Sequence, residues 1–194
     1  MTIEPEKLYS RQLKELFNNS LNTNGLLSTS NTMQYYINNG LGWNIAYSFT
    51  VTGNSTAYLA FETGTERIHA VQRKIKVVNE SSQEVGCTVT TLKNATVDAL
   101  GTDITDTTVF NADLNSNNGI NLTMYDETTT ISDEGTEAPF SSTIIADRKS
   151  ANQEFITNQY ILRENGIRVL KFENITNNDL IIEYASTGYQ EETE

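Results

Sequence analysis

The sequence is sparing with the residues that usually do chemistry. It holds one histidine, His69, and one cysteine, Cys87. A centre built from several imidazoles therefore cannot form within one chain. His69 stands in the run Arg67-Ile68-His69-Ala70-Val71-Gln72, which has the composition of a strand. An imidazole there most often bonds a neighbouring backbone or side-chain group, and a pH-sensitive contact at a subunit interface is the alternative. Cys87 sits between Val85 and Val89, the position of a small buried apolar side chain. A nucleophilic thiol needs a cation beside it, and Lys93 is the nearest in sequence. No Gly-x-Ser-x-Gly elbow, phosphate-binding Gly-rich loop or His-Glu-x-x-His occurs.

Carboxylates are the one abundant catalytic material. Asp98, Asp103, Asp106, Asp126, Glu127, Asp133, Glu134, Glu137 and Asp147 fall in or beside segments that read as loops. Two of them brought together would make an acid/base pair for glycoside hydrolysis, although a solvated loop has the same composition. The run Asn111-Ala112-Asp113-Leu114-Asn115-Ser116-Asn117-Asn118-Gly119 alternates oxygen-bearing side chains as a calcium loop does. Its glycine falls one place late, and the twelfth position from Asp113 is Met124 rather than glutamate. An Asn-rich turn accounts for the segment as well. The expectation is a chain without catalytic, cofactor-binding or metal-binding residues, and not an enzyme.

The elements that carry these residues follow two patterns. Between Glu4 and Phe17 the spacing is helical, with Leu8, Tyr9, Leu13, Leu16 and Phe17 in one apolar stripe and Lys7, Arg11, Lys14 and Glu15 mostly off it. Pro5 suits the first helical position, and Asn18-Asn19-Ser20 ends the element. An Asn-, Ser-, Thr- and Gly-rich stretch follows, within which Met33–Ile37 reads as a short strand. Trp43 stands where this linker meets the body, as an anchor for the arm, and Tyr35 and Tyr36 read as contact residues. From Ile45 the period is two. Ile45, Tyr47, Phe49 and Val51 alternate with Ala46, Ser48, Thr50 and Thr52, and Lys74-Ile75-Lys76-Val77 alternates charge with aliphatic carbon. Further strands are expected around 57–62, 85–91, 107–111, 121–125, 142–146, 154–162, 166–173 and 179–185, the last two as a hairpin across an Asn-rich turn. The expected organisation is a helical arm over 1–24, a linker over 25–43, a domain over 44–187 and an acidic tail over 188–194. The expected fold is all-β: an antiparallel, jelly-roll-like β-sandwich with a short N-terminal α-helical arm.

Charge narrows the partners. The formal net charge is -12, from 25 acidic and 13 basic residues. A nucleic-acid binder needs a basic footprint to displace counterions, and an anionic membrane surface attracts the same sign, so neither partner is expected. No apolar run approaches the ~20 residues of a membrane helix. Met1-Thr2-Ile3-Glu4-Pro5 lacks the basic and apolar regions of a secretory signal, and a lone cysteine fits synthesis in a reducing cytoplasm, so a soluble protein made there is expected. On that reading the sequons at Asn54, Asn79, Asn94 and Asn174 are the chance product of an Asn- and Thr-rich chain.

From about Phe49 onward the order of short features resembles the virion structural proteins of tailed bacteriophages, a group of head-decoration, minor head and tail proteins. The resemblance runs from Ile68-His69-Ala70 through Lys74-Ile75-Lys76-Val77 to Gly101-Thr102 and Asn111. It continues through the Gly/Thr-rich excursion at Gly135-Thr136 to the stretch Ile161–Leu170. Where such proteins carry an Asn-Arg pair, this chain reads Asp113-Leu114-Asn115, so no individual site is carried over. What the resemblance implies is a β-sandwich forming symmetric homo-oligomers, with a trimer favoured, and bound to the major capsid protein or another virion protein. Localisation would be the virion. In that scheme the docking arm uses Leu8, Tyr9, Leu13, Leu16 and Phe17, unless the helix instead covers its own sandwich. The alternatives are a tail or fibre-associated adhesin and a carbohydrate-binding or carbohydrate-cleaving domain.

Overall fold

The computed structural model describes residues 33–113, 116, 118–156 and 160–191. Leu8, Tyr9, Leu13, Leu16 and Phe17 of the arm therefore lie outside the described residues. Two sheets face each other. The first has the order β10-β3-β13-β1-β6, with β11 also on β3, and the second has the order β7-β2-β12-β4-β9. The strands are β1 (Gly42–Val51), β2 (Thr56–Thr63), β3 (Ile68–Val78), β4 (Val85–Lys93), β5 (Thr96–Ala99), β6 (Val109–Asn111) and β7 (Leu122–Tyr125). The chain continues with β8 (Thr130–Asp133), β9 (Thr136–Ala146), β10 (Ala151–Ile156), β11 (Tyr160–Leu162), β12 (Ile167–Asn174) and β13 (Leu180–Gln190).

Set aside the excursion between β4 and β9, and what remains is β10-β3-β13-β1 facing β2-β12-β4-β9. Each step along the chain crosses between sheets except β4 to β9 and, since both strands pair with β3, β10 to β11. This is the wiring of a jelly roll, and the sequence reading of an all-β sandwich stands. The alternation in β1 explains the core. Trp43, Ile45, Phe49 and Val51 point inward to meet Phe61, Ile75, Leu170, Phe172 and Ile182 in one cluster between the sheets. The excursion adds β6 to one sheet and β7 to the other. It also lays the two-stranded β5–β8 ribbon over the outer face of the second sheet. There Ala60, Leu92 and Val169 form a second cluster closed by Val97 and Ile131.

Several local readings need correction. Residues 33–38 are helical, not a strand. The turn places Ile37 over Gly42 and the Tyr36 ring on Tyr189, and closes with Gly40 at φ +70, where the Leu41 N–H reaches the Tyr36 carbonyl at 2.8 Å. The expected strand at 107–111 begins as a single helical turn, Thr105–Thr108, entered through an Asx turn in which Asp103 Oδ1 accepts the Thr105 N–H at 2.9 Å. Residues 154–162 divide between β10 and β11, and the β5–β8 ribbon had no strong pattern to announce it. The strands also extend beyond the span read from sequence. Trp43 is buried within β1, and Gly188, Tyr189 and Gln190 belong to β13 rather than to a solvated tail.

The largest correction concerns β12 and β13, which form no hairpin. β12 pairs with β2 and β4, whereas β13 pairs with β1 and β3, so the connector carries the chain from sheet to sheet. Asn174 explains the crossing. Its Nδ2 reaches the carbonyls of Val51 at 3.1 Å, Thr52 at 3.1 Å and Asn178 at 2.9 Å, tying this corner to the β1–β2 corner. Asn79 does the same for β3–β4 and β9–β10, with Nδ2 reaching Gln83 O at 2.7 Å, Ala146 O at 3.0 Å and Asp147 O at 2.8 Å. Each also accepts, on Oδ1, the N–H two residues on, from Thr176 at 3.0 Å and Ser81 at 2.8 Å. Both side chains are 2% exposed.

Two of the sequons are therefore Asx turns, with their amides buried. Asn79→Ala and Asn174→Ala should each lower the unfolding free energy by roughly 2–3 kcal/mol, since buried carbonyls lose their donors. Asn54→Gly and Asn94→Gly, at exposed left-handed positions with φ 53 and φ 57, should change it by far less. Urea unfolding of the four variants checks the contrast.

Candidate interaction surface

The corners stapled by asparagine occupy one end of the roll, and the other end gathers the start of β1, the end of β13 and the only histidine. Gly42, Tyr189, His69 and Ile161 lie in register across β1, β13, β3 and β11. Paired residues share a face, so the four form one outward row. The helical turn covers half of it. Ile37 fills the space that a side chain at Gly42 would need, and Tyr36 stacks on Tyr189 with ring centroids 4.2 Å apart and planes 7° apart. Tyr189 stacks in turn on His69 at 4.5 Å and 9°. Burial pushes the Tyr189 phenol above its ordinary range, with Tyr36 and Glu191 adding to the effect.

His69 thus has a positional role in the structure. Its Nε2 lies 2.6 Å from Glu191 Oε1, while Arg67 places Nε 2.6 Å from Glu164 Oε1 and Nη1 4.0 Å from Glu191 Oε2. The row ends uncovered at Ile161, which is 52% exposed, while Tyr35 on the helical turn is 48% exposed. Beside it is a polar hollow of about 410 Å³ lined by Asn39, Leu41, Glu66, Asn118, Gly119, Gln190 and Glu191. The residues proposed from sequence to dock, Leu8, Tyr9, Leu13, Leu16 and Phe17, lie outside the described residues. In sequence they precede the helical turn at 33–38.

Cys87, Asn111, Asn118 and Asp126 make contacts that hold the fold. Cys87 lies in the core and burial pushes its thiol up to about 12. Asn111 Nδ2 bonds the carbonyls of Gly40 at 2.7 Å and Asn118 at 3.1 Å, while its Oδ1 accepts the Asp113 N–H at 2.9 Å. Asn118 Nδ2 donates to Asn39 O at 3.0 Å, so the segment read as a possible calcium loop staples the excursion to the helical turn. Among the described residues no three His, Cys, Asp or Glu side chains converge as metal ligands would. Asp126 Oδ1 collects the Thr102 N–H at 2.9 Å and the Thr128 N–H at 3.1 Å, and its hydrogen bonds outweigh burial to hold its carboxyl below the usual range.

Sequence reasoning missed the tyrosine–carboxylate bonds that latch the excursion. Tyr47 donates to Glu127 at 2.5 Å, Tyr125 to Glu62 at 2.7 Å and Tyr58 to Glu134 at 2.9 Å. Glu134 also takes a bond from Lys171 Nζ at 2.8 Å, which is the main cause holding its carboxyl below the usual range. Burial first, then the bond to Glu134, raises the Tyr58 phenol to about 12. A tyrosine on the outward face of β2 and an acidic residue just before a glycine were the available signals, but their meeting depends on the ribbon's path.

No family model matches the chain, and no curated protein matches it. Among solved structures, the decameric BFDV capsid protein aligns with a TM-score of 0.30 and 10% identity, covering 77% of this chain and 95% of that one. Hydroquinone 1,2-dioxygenase from Sphingomonas sp. TTNP3 aligns with a TM-score of 0.25 and 11% identity, covering 74% and 59%. The T13 IBDV viral particle gives 0.19 and 10%, covering 77% and 38%. Superpositions this poor carry no argument about what the present chain does.

The latch gives a signed pH dependence. Glu134 is lowered in the folded state, so its contribution is present above the ordinary glutamate value of roughly 4.3 and is lost as pH falls below it. Tyr58 is raised, so its contribution is present below roughly 10 and is lost as pH rises through about 12. Glu134→Gln should flatten the acid limb of a thermal-unfolding profile, and Tyr58→Phe should cost about 1 kcal/mol at neutral pH. Melting curves at pH 3 to 7 check both.

Proposed function

We propose that this chain is a non-enzymatic virion structural protein of a tailed bacteriophage, an oligomeric decoration or minor head protein attached to the major capsid lattice. The observation that carries this reading is the jelly-roll wiring, an architecture that capsid domains share with lectins and cupins. Fold alone does not decide among these uses. The side chains favour the structural one: the described carboxylates and amides with assigned partners are largely committed to corners, latches and loop staples. The resemblance in the sequence points the same way, as does an acidic chain suited to docking on a basic lattice.

Attachment is assigned to the arm. Leu8, Tyr9, Leu13, Leu16 and Phe17 would bury on a partner, because an isolated helix of this length is marginal in water. The surface that receives the arm within an oligomer, preferably a trimer, would include the exposed Tyr35 and Ile161. A second reading, carbohydrate binding by an adhesin-like domain, is favoured by the hollow lined with Asn39, Glu66, Asn118, Gln190 and Glu191. Amides and carboxylates are the groups that hydrogen-bond sugar hydroxyls.

The double variant Leu13→Asp/Leu16→Asp separates the possibilities in the full chain. Unchanged melting with lost particle binding is the expected result, since two charges would have to be desolvated at the contact. A lowered melting temperature would place the helix on its own sandwich. Saturable binding to a glycan array that disappears in Asn118→Ala would move the assignment to the second reading.

A further inference from the structure

The dipeptide Asn-Gly occurs at Asn24-Gly25, Asn39-Gly40, Asn118-Gly119 and Asn165-Gly166. Asparagine is thermolabile in such pairs because the backbone nitrogen of the next residue can attack its side-chain carbonyl carbon. A glycine there has no Cβ to hinder the approach. The first pair lies outside the described residues. The other three differ in how the glycine nitrogen is engaged.

In two of them it is committed. The Gly40 N–H reaches the Ile37 carbonyl at 2.9 Å within the turn that closes the helix, and a Cβ on Gly40 would collide with Ser116. The Gly166 N–H reaches Thr63 Oγ1 at 3.0 Å, and Asn165, at φ 50, bonds the Gly64 carbonyl through its own N–H at 2.7 Å. Turning either peptide breaks bonds between elements. Gly119 is the exception. Its N–H has no partner among the described residues, and nothing stands within 4 Å of the place a Cβ would take. This peptide can turn at little cost.

Asn118 itself holds elements together. Its Nδ2 donates to the Asn39 carbonyl at 3.0 Å, its carbonyl accepts Asn111 Nδ2 at 3.1 Å, and its N–H meets Ser116 Oγ at 3.1 Å. The first of these bonds ties the excursion to the end of the helical turn. Asn39 in turn bonds the carbonyl of the exposed Tyr35, through N–H at 3.1 Å and Nδ2 at 2.8 Å.

We propose that Asn118-Gly119 is a site of spontaneous deamidation, at which the chain loses its own staple and releases the helical turn. The Gly119 nitrogen gives up its proton to base and bonds to Asn118 Cγ. The Cγ–Nδ2 bond then breaks, and the leaving nitrogen takes up a proton and departs as ammonia. Water opens the cyclic imide: cleavage at Cγ gives aspartate, and cleavage at the former backbone carbonyl gives isoaspartate. No oxidant, reductant or enzyme enters. Neither product keeps Nδ2, so the Asn39 carbonyl loses its donor. Each adds a negative charge to the hollow that Asn118 lines with Glu66 and Glu191. The contact end of the roll therefore changes with age. This goes beyond the structural reading and does not depend on it.

The full chain would be held in mildly alkaline buffer and sampled over days. Peptide mapping by mass spectrometry reads each site separately, and an isoaspartyl methyltransferase with a labelled methyl donor counts isoaspartate. Conversion at Asn118 should outrun that at Asn39 and Asn165 by roughly five- to tenfold, since the other two glycine nitrogens must first give up a hydrogen bond. It should quicken as pH rises, because the attacking nitrogen must lose its proton. Gly119→Ala, which has room for its methyl group, should keep the melting temperature and slow the reaction on the order of tenfold. Asn118→Asp, a homogeneous form of one product, should exchange the Gly40 and Leu41 amide hydrogens roughly fivefold faster, as one lost hydrogen bond predicts. Conversion at Asn39 or Asn165 as fast as at Asn118, or an unchanged rate in Gly119→Ala, overturns the proposal. Unchanged exchange in Asn118→Asp overturns the release of the helical turn.

Discussion

Two buried asparagines hold the roll closed. A jelly roll must pass its chain from sheet to sheet repeatedly, and each passage exposes carbonyls that neither sheet can pair. Asn174 satisfies carbonyls of the β1–β2 and β12–β13 crossings together, and Asn79 does the same for β3–β4 and β9–β10. A bond from Asn178 Nδ2 to Gln83 Oε1 at 3.2 Å joins the two pairs of corners. With that end fixed, the register of β13 between β1 and β3 follows, and so does the inward phase of Trp43, Ile75 and Ile182. At the opposite end the same register sets Tyr189 between Gly42 and His69, which creates the ring stack and the uncovered row beyond it.

The excursion between β4 and β9 depends on different forces. Its ribbon covers a small apolar cluster of Ala60, Leu92 and Val169, and this burial is supplemented by tyrosine–carboxylate bonds at the ribbon's edges. Gly101 and Gly135 allow the close approaches that the ribbon needs. A side chain at Gly101 would meet Asp126, and Gly135 holds φ +63 against the backbone of Asn94. Of the carboxylates that looked like catalytic material, Asp103, Asp126, Glu127, Asp133 and Glu134 act as acceptors that fix loops or latch the ribbon.

How much of this was legible follows from which forces are local. Period-two alternation exposed β1, β3 and β4 because each has one face in the core, and the sandwich class followed from them. The same alternation, extended one step back from Ile75, would have placed Arg73 inside the core. The β12–β13 crossing was illegible because two apolar runs joined by an Asn-rich turn look alike in a hairpin and in a corner. Only the partners of Asn174, far away in sequence, decide between them. The helix at 33–38 was read as a strand because Tyr35-Tyr36-Ile37 has high β-propensity, and packing on Gly42 and Tyr189 overrode it. The residues of the proposed docking arm, by contrast, were read from sequence periodicity and lie outside the described residues.

The central proposal is that this jelly roll works as a structural part of a virion head. Electron cryo-microscopy of the purified phage particle, with the chain tagged at its C-terminus, tests it most directly. The account predicts tagged density on the head exterior, repeating with the capsid lattice, into which the two sheets fit with the His69–Tyr189 end toward the contact. Absence of the chain from purified particles, or tagged density confined to the tail, would contradict it.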